Sequence, residues 1–331
     1  MSSPNLLITG VTGFIGFNVL TTALQEGYTV RAAVRSIEKS KAISSHPKVL
    51  ALGGHDKLSF VEIPDICREG AYDEALKGIS YIIHQASPLP LPFLDPQTEI
   101  YEPTIKGVST ILQSALNAPT VKKVVITSSS FANTFPPDPT KQVTAESRVP
   151  DLPGPFDSAL PAYGAGKVAA LNLTDRFVKE KQPSFAVVNI FPGIVLGRDD
   201  RALNVQDLSA GTNMILLAVI TGQSASWPLT SGVADVSDVA KAHVLALKED
   251  VVKDIGVTTA HQFNDAWNFV EKHFPKAVAD GIFTQGDQPT VPSCWDAYKN
   301  ELDLGSNYNT YEDIVVNVAS QYLELSGKEK A

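Results

Sequence analysis

Tyr163 and Lys167 lie four residues apart in Tyr163-Gly164-Ala165-Gly166-Lys167, downstream of a hydroxyl cluster, Thr127-Ser128-Ser129-Ser130, that closes the apolar run 121–126. On a helix, positions i and i+4 share one face, so phenol and ammonium project side by side. A cation beside a phenol is expected to lower its pKa from about 10 and make it a usable proton donor or acceptor near neutrality. That is chemistry suited to a carbonyl. Alone the pair is a weak signal, because any amphipathic surface helix can carry Tyr-x-x-x-Lys.

The N-terminus strengthens it. Residues 5–9 form a short apolar run of buried-strand type, followed at once by Gly10-Val11-Thr12-Gly13-Phe14-Ile15-Gly16 and a helical pattern through Val19, Leu20, Ala23 and Leu24. A strand, a glycine turn and a helix start let backbone N–H groups and the positive helix end face a pyrophosphate, which a side chain at Gly10 or Gly13 would obstruct. The spacing is Gly-x-x-Gly-x-x-Gly, not Gly-x-Gly-x-x-Gly. The alternative is a tight turn with close helix packing and no ligand; the flanking strand and helix favour a nucleotide. The second strand, 29–34, ends in Arg35 with Lys39 four residues on, where an NAD-binding chain usually carries an acid for the ribose hydroxyls. Two cations there favour a 2'-phosphate, Arg35 through its planar fork and Lys39 as a mobile point charge, so NADPH is expected over NADH. The alternative is an ordinary solvated basic face.

To position these groups, strands alternate with helices as far as Ile190: strands at 6–9, 29–34, 59–63, 81–84, 121–128 and 185–190, helices at 105–116 and 165–177. This predicts an α/β fold, a Rossmann-type doubly wound parallel sheet with helices on both faces and a smaller C-terminal substrate-binding lobe. The expected division is 1–191 for the nucleotide-binding domain with 232–260 returning to it, and 192–231 with 261–331 for the lobe. Asn213 to Ile220 reads as a helix of that lobe, and Asp235 and Asp238 as caps of a helix over 239–247. Proline-crowded 87–96 and 135–139 either wall a pocket or are plain surface connections. His84, inside an apolar strand, reads as a core histidine, and His243 as structural.

At 331 residues and 44% hydrophobic the chain can bury a large core, in one elaborated domain or two fused lobes. A net charge of −9 argues against a nucleic-acid partner. Cys67 and Cys294 are far apart and lack metal spacing, so reduced thiols and no metal site are expected. The first ten residues have no basic n-region and no apolar stretch is long enough to span a bilayer, which makes cytoplasm the default and a membrane association unexpected.

The chain resembles the extended short-chain dehydrogenase/reductase superfamily, in the branch of plant dihydroflavonol reductase and the fungal methylglyoxal and aldehyde reductases, the fungal enzymes most of all. The resemblance spans nearly the whole chain. It rests on Gly10 to Gly16, Arg35 with Lys39, Pro64-Asp65-Ile66, His84-Gln85-Ala86-Ser87-Pro88, Thr127-Ser128-Ser129, Tyr163 with Lys167, Phe191-Pro192-Gly193 and the stretch Asp235 to His243. It implies that Tyr163 protonates the carbonyl oxygen, that Lys167 holds the nicotinamide ribose and keeps the phenol acidic, and that Ser129 bonds the same oxygen, with Ser128 and Ser130 as rivals. It implies NADP(H) contacts from Thr9, Gly10, Gly13, Phe14, Ile15, Gly16, Arg35, Lys39, Asp65, Ile66, Ala86, Ser87, Thr127, Tyr163, Lys167, Pro192 and Ile194. Two departures stand out. Gly166 replaces a serine common before the active lysine, and Thr104-Ile105-Lys106-Gly107 replaces an Asn-Val-x-Gly pattern, which puts an Asn-mediated proton relay in doubt.

The expectation is an NADPH-dependent reductase of aldehydes or ketones. Leu89, Phe93, Ser130, Phe131, Ala162, Ile194, Asn213 and Trp227 are the pocket candidates, an apolar set suited to a hydrophobic or aromatic carbonyl compound. Two alternatives share the scaffold: a nucleotide-sugar epimerase or dehydratase, for which Arg198 and Arg201 are the available basic pair, and a non-catalytic NADP(H)-sensing regulator, against which Tyr163 and Lys167 argue. Oligomeric state is not legible.

Overall fold

The computed structural model describes residues 5–138, 140–230, 232–258, 260–292, 295 and 308–328. The strands are β1 (Leu6–Thr9), β2 (Val30–Val34), β3 (Leu58–Glu62), β4 (Tyr81–His84), β5 (Lys123–Thr127), β6 (Ala186–Pro192), β7 (Ile194–Leu196), β8 (Leu229–Thr230), β9 (Val233–Asp235), β10 (Ile255–Val257) and β11 (Thr290–Val291). The principal helices are α1 (Phe14–Gln25), α2 (Glu102–Leu116), α3 (Ala159–Lys181), α4 (Asn213–Ile220), α5 (Val236–Leu245), α6 (Asp265–His273) and α7 (Tyr311–Leu325). The chain separates into two compact units, 1–136 with 145–191 and 240–255, and 137–144 with 192–239 and 256–331. The returning segment is therefore shorter than the 232–260 expected from the sequence.

A seven-stranded sheet runs in the order β10-β6-β5-β4-β1-β2-β3. The pairings among β1 to β6 are parallel, with Ile8 opposite Ile83 and Thr127 opposite Ile190. This is the doubly wound arrangement expected from the alternation, and its carboxyl edge, where ligands bind in such sheets, is where β1, β4 and β5 end. β1 is buried along its whole length and reads as a continuous apolar run, the pattern of a strand covered on both faces. In the first unit Leu7, Ile82, Val124 and Ile126 from the strands pack with Val108, Ile111 and Leu112 of α2 and Phe177 of α3. Lys123, 3% exposed, turns its ammonium onto the carbonyls of Lys248 and Val251, which ties the stretch after α5 to the sheet. The second unit has its own core, in which Leu216, Leu217 and Ile220 of α4 meet Ala266 and Val270 of α6 and Ile314, Val315 and Val318 of α7.

Several elements escaped the sequence pattern. α3 begins six residues before the expected Ala165, so Tyr163 and Lys167 both lie inside it. Pro96–Tyr101, which begins at the last residue of the proline-crowded stretch 87–96, is a π-helical turn leading into α2 and capped by Asp95. The helix after Asp235 starts at Val236, not Val239: Asp235 caps it by accepting from the Ser237 N–H at 2.7 Å, while Asp238 sits inside the first turn and accepts from Asn309 instead. Asp238 is thus not a cap but a tie to the segment before α7. α6 and α7 were not foreseen. Cys294 and residues 1–4 and 329–331 lie outside the described residues; Cys67 is a free, half-buried thiol whose pKa burial pushes up. Among the described residues no helix is long and apolar enough to cross a membrane.

Candidate active site

Gly10 turns the chain out of β1 with φ +79°, in the left-handed region that favours glycine. A Cβ on Gly10 would lie 3.1 Å from the Ala86 amide nitrogen, and one on Gly16 would lie 2.0 Å from the Gly10 carbonyl oxygen. α1 starts at Phe14 with no side-chain cap and no acidic residue in its first turn. Its positive end therefore has no side-chain anion from its own sequence, the arrangement that suits a phosphate. The Thr9 hydroxyl accepts the N–H groups of Gln85 and Ala86 at 2.9 and 3.0 Å and lies 3.1 Å from Nδ1 of His84. With both lone pairs taken it donates its proton to Nδ1, which places the ring proton of His84 on Nε2. Burial, and then the Lys167 charge, pull the His84 pKa down to about 3, so the ring is neutral. Thr9 is 1% exposed and fully engaged, so its part in any nucleotide site is to lock the glycine turn to the end of β4.

At the ends of β2 and β3 the remaining nucleotide candidates are arranged in the open. Arg35 and Lys39 are exposed and neither side chain makes a hydrogen bond or ion pair among the described residues, while nearby Glu62 accepts the Ile37 N–H at 2.8 Å. Asp65 is exposed and takes the Cys67 N–H at 2.8 Å; Ile66 is half-buried, close to Gly107. Ala86 and Ser87 follow β4 at the carboxyl edge, the Ser87 hydroxyl buried without a partner.

Beyond β5 the hydroxyl cluster meets α3. Ser129, 9% exposed, is the serine whose side chain hydrogen-bonds the Tyr163 phenol, and its Oγ also accepts the Phe131 N–H at 3.2 Å. Ser128 packs below the edge with its N–H on the Ile190 carbonyl, and Ser130 opens a short helix over Phe131–Thr134. Lys167 is 6% exposed; its Nζ donates to the Thr127 carbonyl at 3.2 Å and lies 5.6 Å from the centre of the Tyr163 ring. Burial lowers the Lys167 pKa to about 8. The expectation for Tyr163 is overturned. Burial pushes its phenol above the ordinary value, and only the Ser129 hydrogen bond pulls the other way. The ammonium sits against the ring and donates to a backbone carbonyl, while the desolvation of a phenolate in these surroundings dominates. A raised pKa keeps the phenol protonated at neutral pH, the state of a proton donor.

The two departures acquire a reason. A Cβ on Gly166 would lie 3.3 Å from the Thr104 Cβ and 3.5 Å from the Tyr101 Cα, so glycine lets α3 approach α2 closely just before Lys167. The Thr104 hydroxyl bonds the Ile100 carbonyl at 2.7 Å, within its own helical stretch, and offers no relay group to the lysine. Thr127, Ser128, Lys167, Thr174 and Asn189 line a cavity of about 10 Å³, the size of one water.

The pocket candidates divide. Phe131 lies edge-on to Tyr163 at 6.4 Å, and Leu89 and Phe93 stand exposed on the loop after β4, at 61% and 77%. Ala162 is wholly buried and lines no surface. Asn213 is a correction: it is 2% exposed, accepts the Gly197 N–H at 3.1 Å and donates to the Gly197 carbonyl at 2.8 Å, so it fixes the turn after β7. In the second unit Pro192 is buried, Ile194 half-buried in β7, and Trp227 64% exposed. Arg198 pairs with Glu324 and Arg201 with Asp199, so both arginines are engaged with carboxylates of their own unit. Among the described residues no group of three His, Cys, Asp or Glu could hold a metal ion.

Residues 6–257 match the NAD dependent epimerase/dehydratase family, and the chain belongs to it. It is 33% identical over 350 residues to Ketoreductase CTB6 of Cercospora beticola, covering 100% of this chain and 98% of the relative. It is 28% identical over 326 residues to the putative NADPH-dependent methylglyoxal reductase GRP2 of Candida albicans, covering 94% and 93%. The crystal structure of Gre2 in complex with NADPH from Candida albicans shares its fold with a TM-score of 0.81 at 23% identity, over 98% of this chain and 99% of that one.

Proposed function

We propose that the chain is an NADPH-dependent reductase that converts aldehydes or ketones to alcohols, working in the cytoplasm on a hydrophobic or aromatic carbonyl compound. The observation that carries this reading is the convergence of Ser129, Tyr163 and Lys167 beyond β5, on the sheet edge that also carries the glycine turn after β1. The turn fits the cofactor: a Cβ would fill the cradle at Gly10 and Gly16, and α1 offers its uncapped end. Gly10, Gly13, Phe14, Ile15 and Gly16 take the pyrophosphate side, Arg35 and Lys39 the 2'-phosphate, Asp65 and Ile66 the adenine side, and Ala86, Ser87, Thr127, Pro192 and Ile194 the nicotinamide side. Bound NADPH supplies the hydride. Tyr163, protonated at neutral pH, gives its phenolic proton to the carbonyl oxygen as charge develops there, and Ser129 donates a second hydrogen bond to that oxygen. Lys167, a cation below about pH 8, stands beside the phenol ring and is assigned to the nicotinamide ribose. We assign substrate choice to apolar side chains, Leu89, Phe93 and Phe131 in the first unit, with Trp227 a separate candidate in the second.

The names of the two relatives, a ketoreductase and a methylglyoxal reductase, support reduction over sugar-nucleotide chemistry. So do Arg198 and Arg201, whose ion pairs leave them poorly placed to grip a diphosphate. The test is to follow NADPH absorbance with a panel of aldehydes, diketones, ketoesters and flavonoid ketones. Consumption with any of them that Tyr163→Phe abolishes supports the reductase. Tight NADPH binding with no turnover across the panel means a sensor, and release of a modified nucleotide sugar an epimerase or dehydratase.

A further inference from the structure

One buried group outside these residues reaches the site through a single intermediary. His243 lies on α5, 0% exposed, and its Nε2 is 2.6 Å from the Thr127 hydroxyl. Thr127 ends β5, and its carbonyl oxygen is the only hydrogen-bond acceptor of Lys167 Nζ among the described residues. We propose that His243 is a positioning residue for the reaction: by holding the Thr127 hydroxyl it fixes the peptide whose carbonyl aims the Lys167 ammonium. This rests on the reading of Lys167 as part of the catalytic group.

A lysine has four rotatable bonds, and an ammonium with one acceptor is only as well placed as that acceptor. Thr127 is the last residue of its strand; the peptide that carries its carbonyl is held on one side by the Ser128 N–H on the Ile190 carbonyl, and His243 adds the hold on the Thr127 side chain where the chain turns into the serine run. The neighbours of His243 along α5, Val239, Ala240, Ala242 and Val244, are buried and apolar. Among these apolar neighbours the histidine brings a ring nitrogen to the hydroxyl of the residue whose carbonyl accepts from the lysine. The titratable groups facing Nζ are Tyr163 on its own helix and His84 from β4, whose ring is neutral; Ser128, Thr174 and Asn189 complete the polar lining.

The test compares the wild-type chain with His243→Leu, His243→Gln, Thr127→Val and the Leu/Val double variant, measuring kcat, carbonyl KM and the alkaline limb of kcat. His243→Leu is expected to lower kcat about threefold to tenfold, the worth of one ordinary hydrogen bond, with KM unchanged. Its alkaline limb moves to lower pH, because an ammonium less well aligned with the Thr127 carbonyl gives up its proton sooner. His243→Gln, which keeps a nitrogen able to reach the hydroxyl, retains the wild-type limb. Thr127→Val reproduces the leucine variant, and the double variant is no worse than either single one. Wild-type kcat and limb in His243→Leu, with only the melting temperature lowered, overturn the proposal by making the ring a space filler. If His243→Leu does not fold, an unshifted limb in Thr127→Val does the same. Tyr163→Phe run in parallel separates the two claims: activity surviving there removes the reductase mechanism itself, whatever His243 does.

Discussion

Replacing Gly16 by alanine tests the nucleotide turn at its tightest point. The added methyl would stand 2.0 Å from the Gly10 carbonyl oxygen, 2.6 Å from its carbon and 2.9 Å from Oε1 of Gln85. Two of these are backbone atoms of the turn, so the clash is relieved only if Gly10 and the start of α1 separate by an ångström or more. Overpacking of this kind costs about 1–3 kcal/mol, which lowers Tm by several degrees. The functional loss is larger, because a cradle displaced by about 1 Å can cost about a hundredfold in a reaction that depends on positioning. Gly13→Ala is the internal control: its methyl would meet one atom, the Gly10 oxygen, at 3.3 Å, a contact that a shift of a few tenths of an ångström removes. Calorimetry gives the stability term, and titration of NADPH fluorescence gives the affinity term. The expected order is wild type, then Gly13→Ala within a few degrees and severalfold in Kd, then Gly16→Ala far weaker in NADPH binding. If Gly16→Ala binds NADPH as the wild type does, the glycines serve helix packing alone and the phosphate assignment fails.

Arg35→Ala is expected to raise KM for NADPH about tenfold, the low end for a charge-assisted hydrogen bond at an exposed site, with NADH nearly unaffected and the difference shrinking in high salt. Equal losses with both cofactors refute the 2'-phosphate role. Tyr163→Phe is expected to lower kcat by about 10²–10⁴ while leaving NADPH affinity intact, as removal of a proton donor should; single-turnover kinetics with a responsive aldehyde reads it. Lys167→Met is expected to be inactive yet more stable at neutral pH. A lysine whose pKa falls to about 8 in the fold carries a burial cost of roughly 3 kcal/mol below that pH, against about 1 kcal/mol lost with its hydrogen bond to Thr127. Between about pH 8 and the ordinary lysine value of 10.5 the unfolded chain binds more protons than the folded one, so this group's contribution to wild-type stability rises with pH and the advantage of the methionine variant narrows. A methionine variant that melts below the wild type at neutral pH would contradict the sign.

The legible parts were those decided locally. The buried run before Gly10, the alternation of apolar strands with helices and the four-residue step from Tyr163 to Lys167 follow from side-chain periodicity and backbone sterics, which act over a few residues. They sufficed for the parallel sheet, and all six of its strands up to β6 lie within two residues of their expected ends. The helices α6 and α7 were missed because their apolar faces become meaningful only against each other and α4. Asn213 was misread as a pocket residue because nothing local distinguishes an amide facing solvent from one folded back on Gly197 sixteen residues earlier.

Sequence alone thus determined the type of sheet, the glycine turn and the sharing of one helix by Tyr163 and Lys167, because each is written in neighbouring residues. Tertiary structure decided the electrostatics and the support. Burial raised the Tyr163 phenol where a neighbouring cation had been expected to lower it, and folding brought His243 to Thr127 across 116 positions of chain. Desolvation and long-range hydrogen bonds depend on what the fold packs around a group, and no spacing along the chain encodes that.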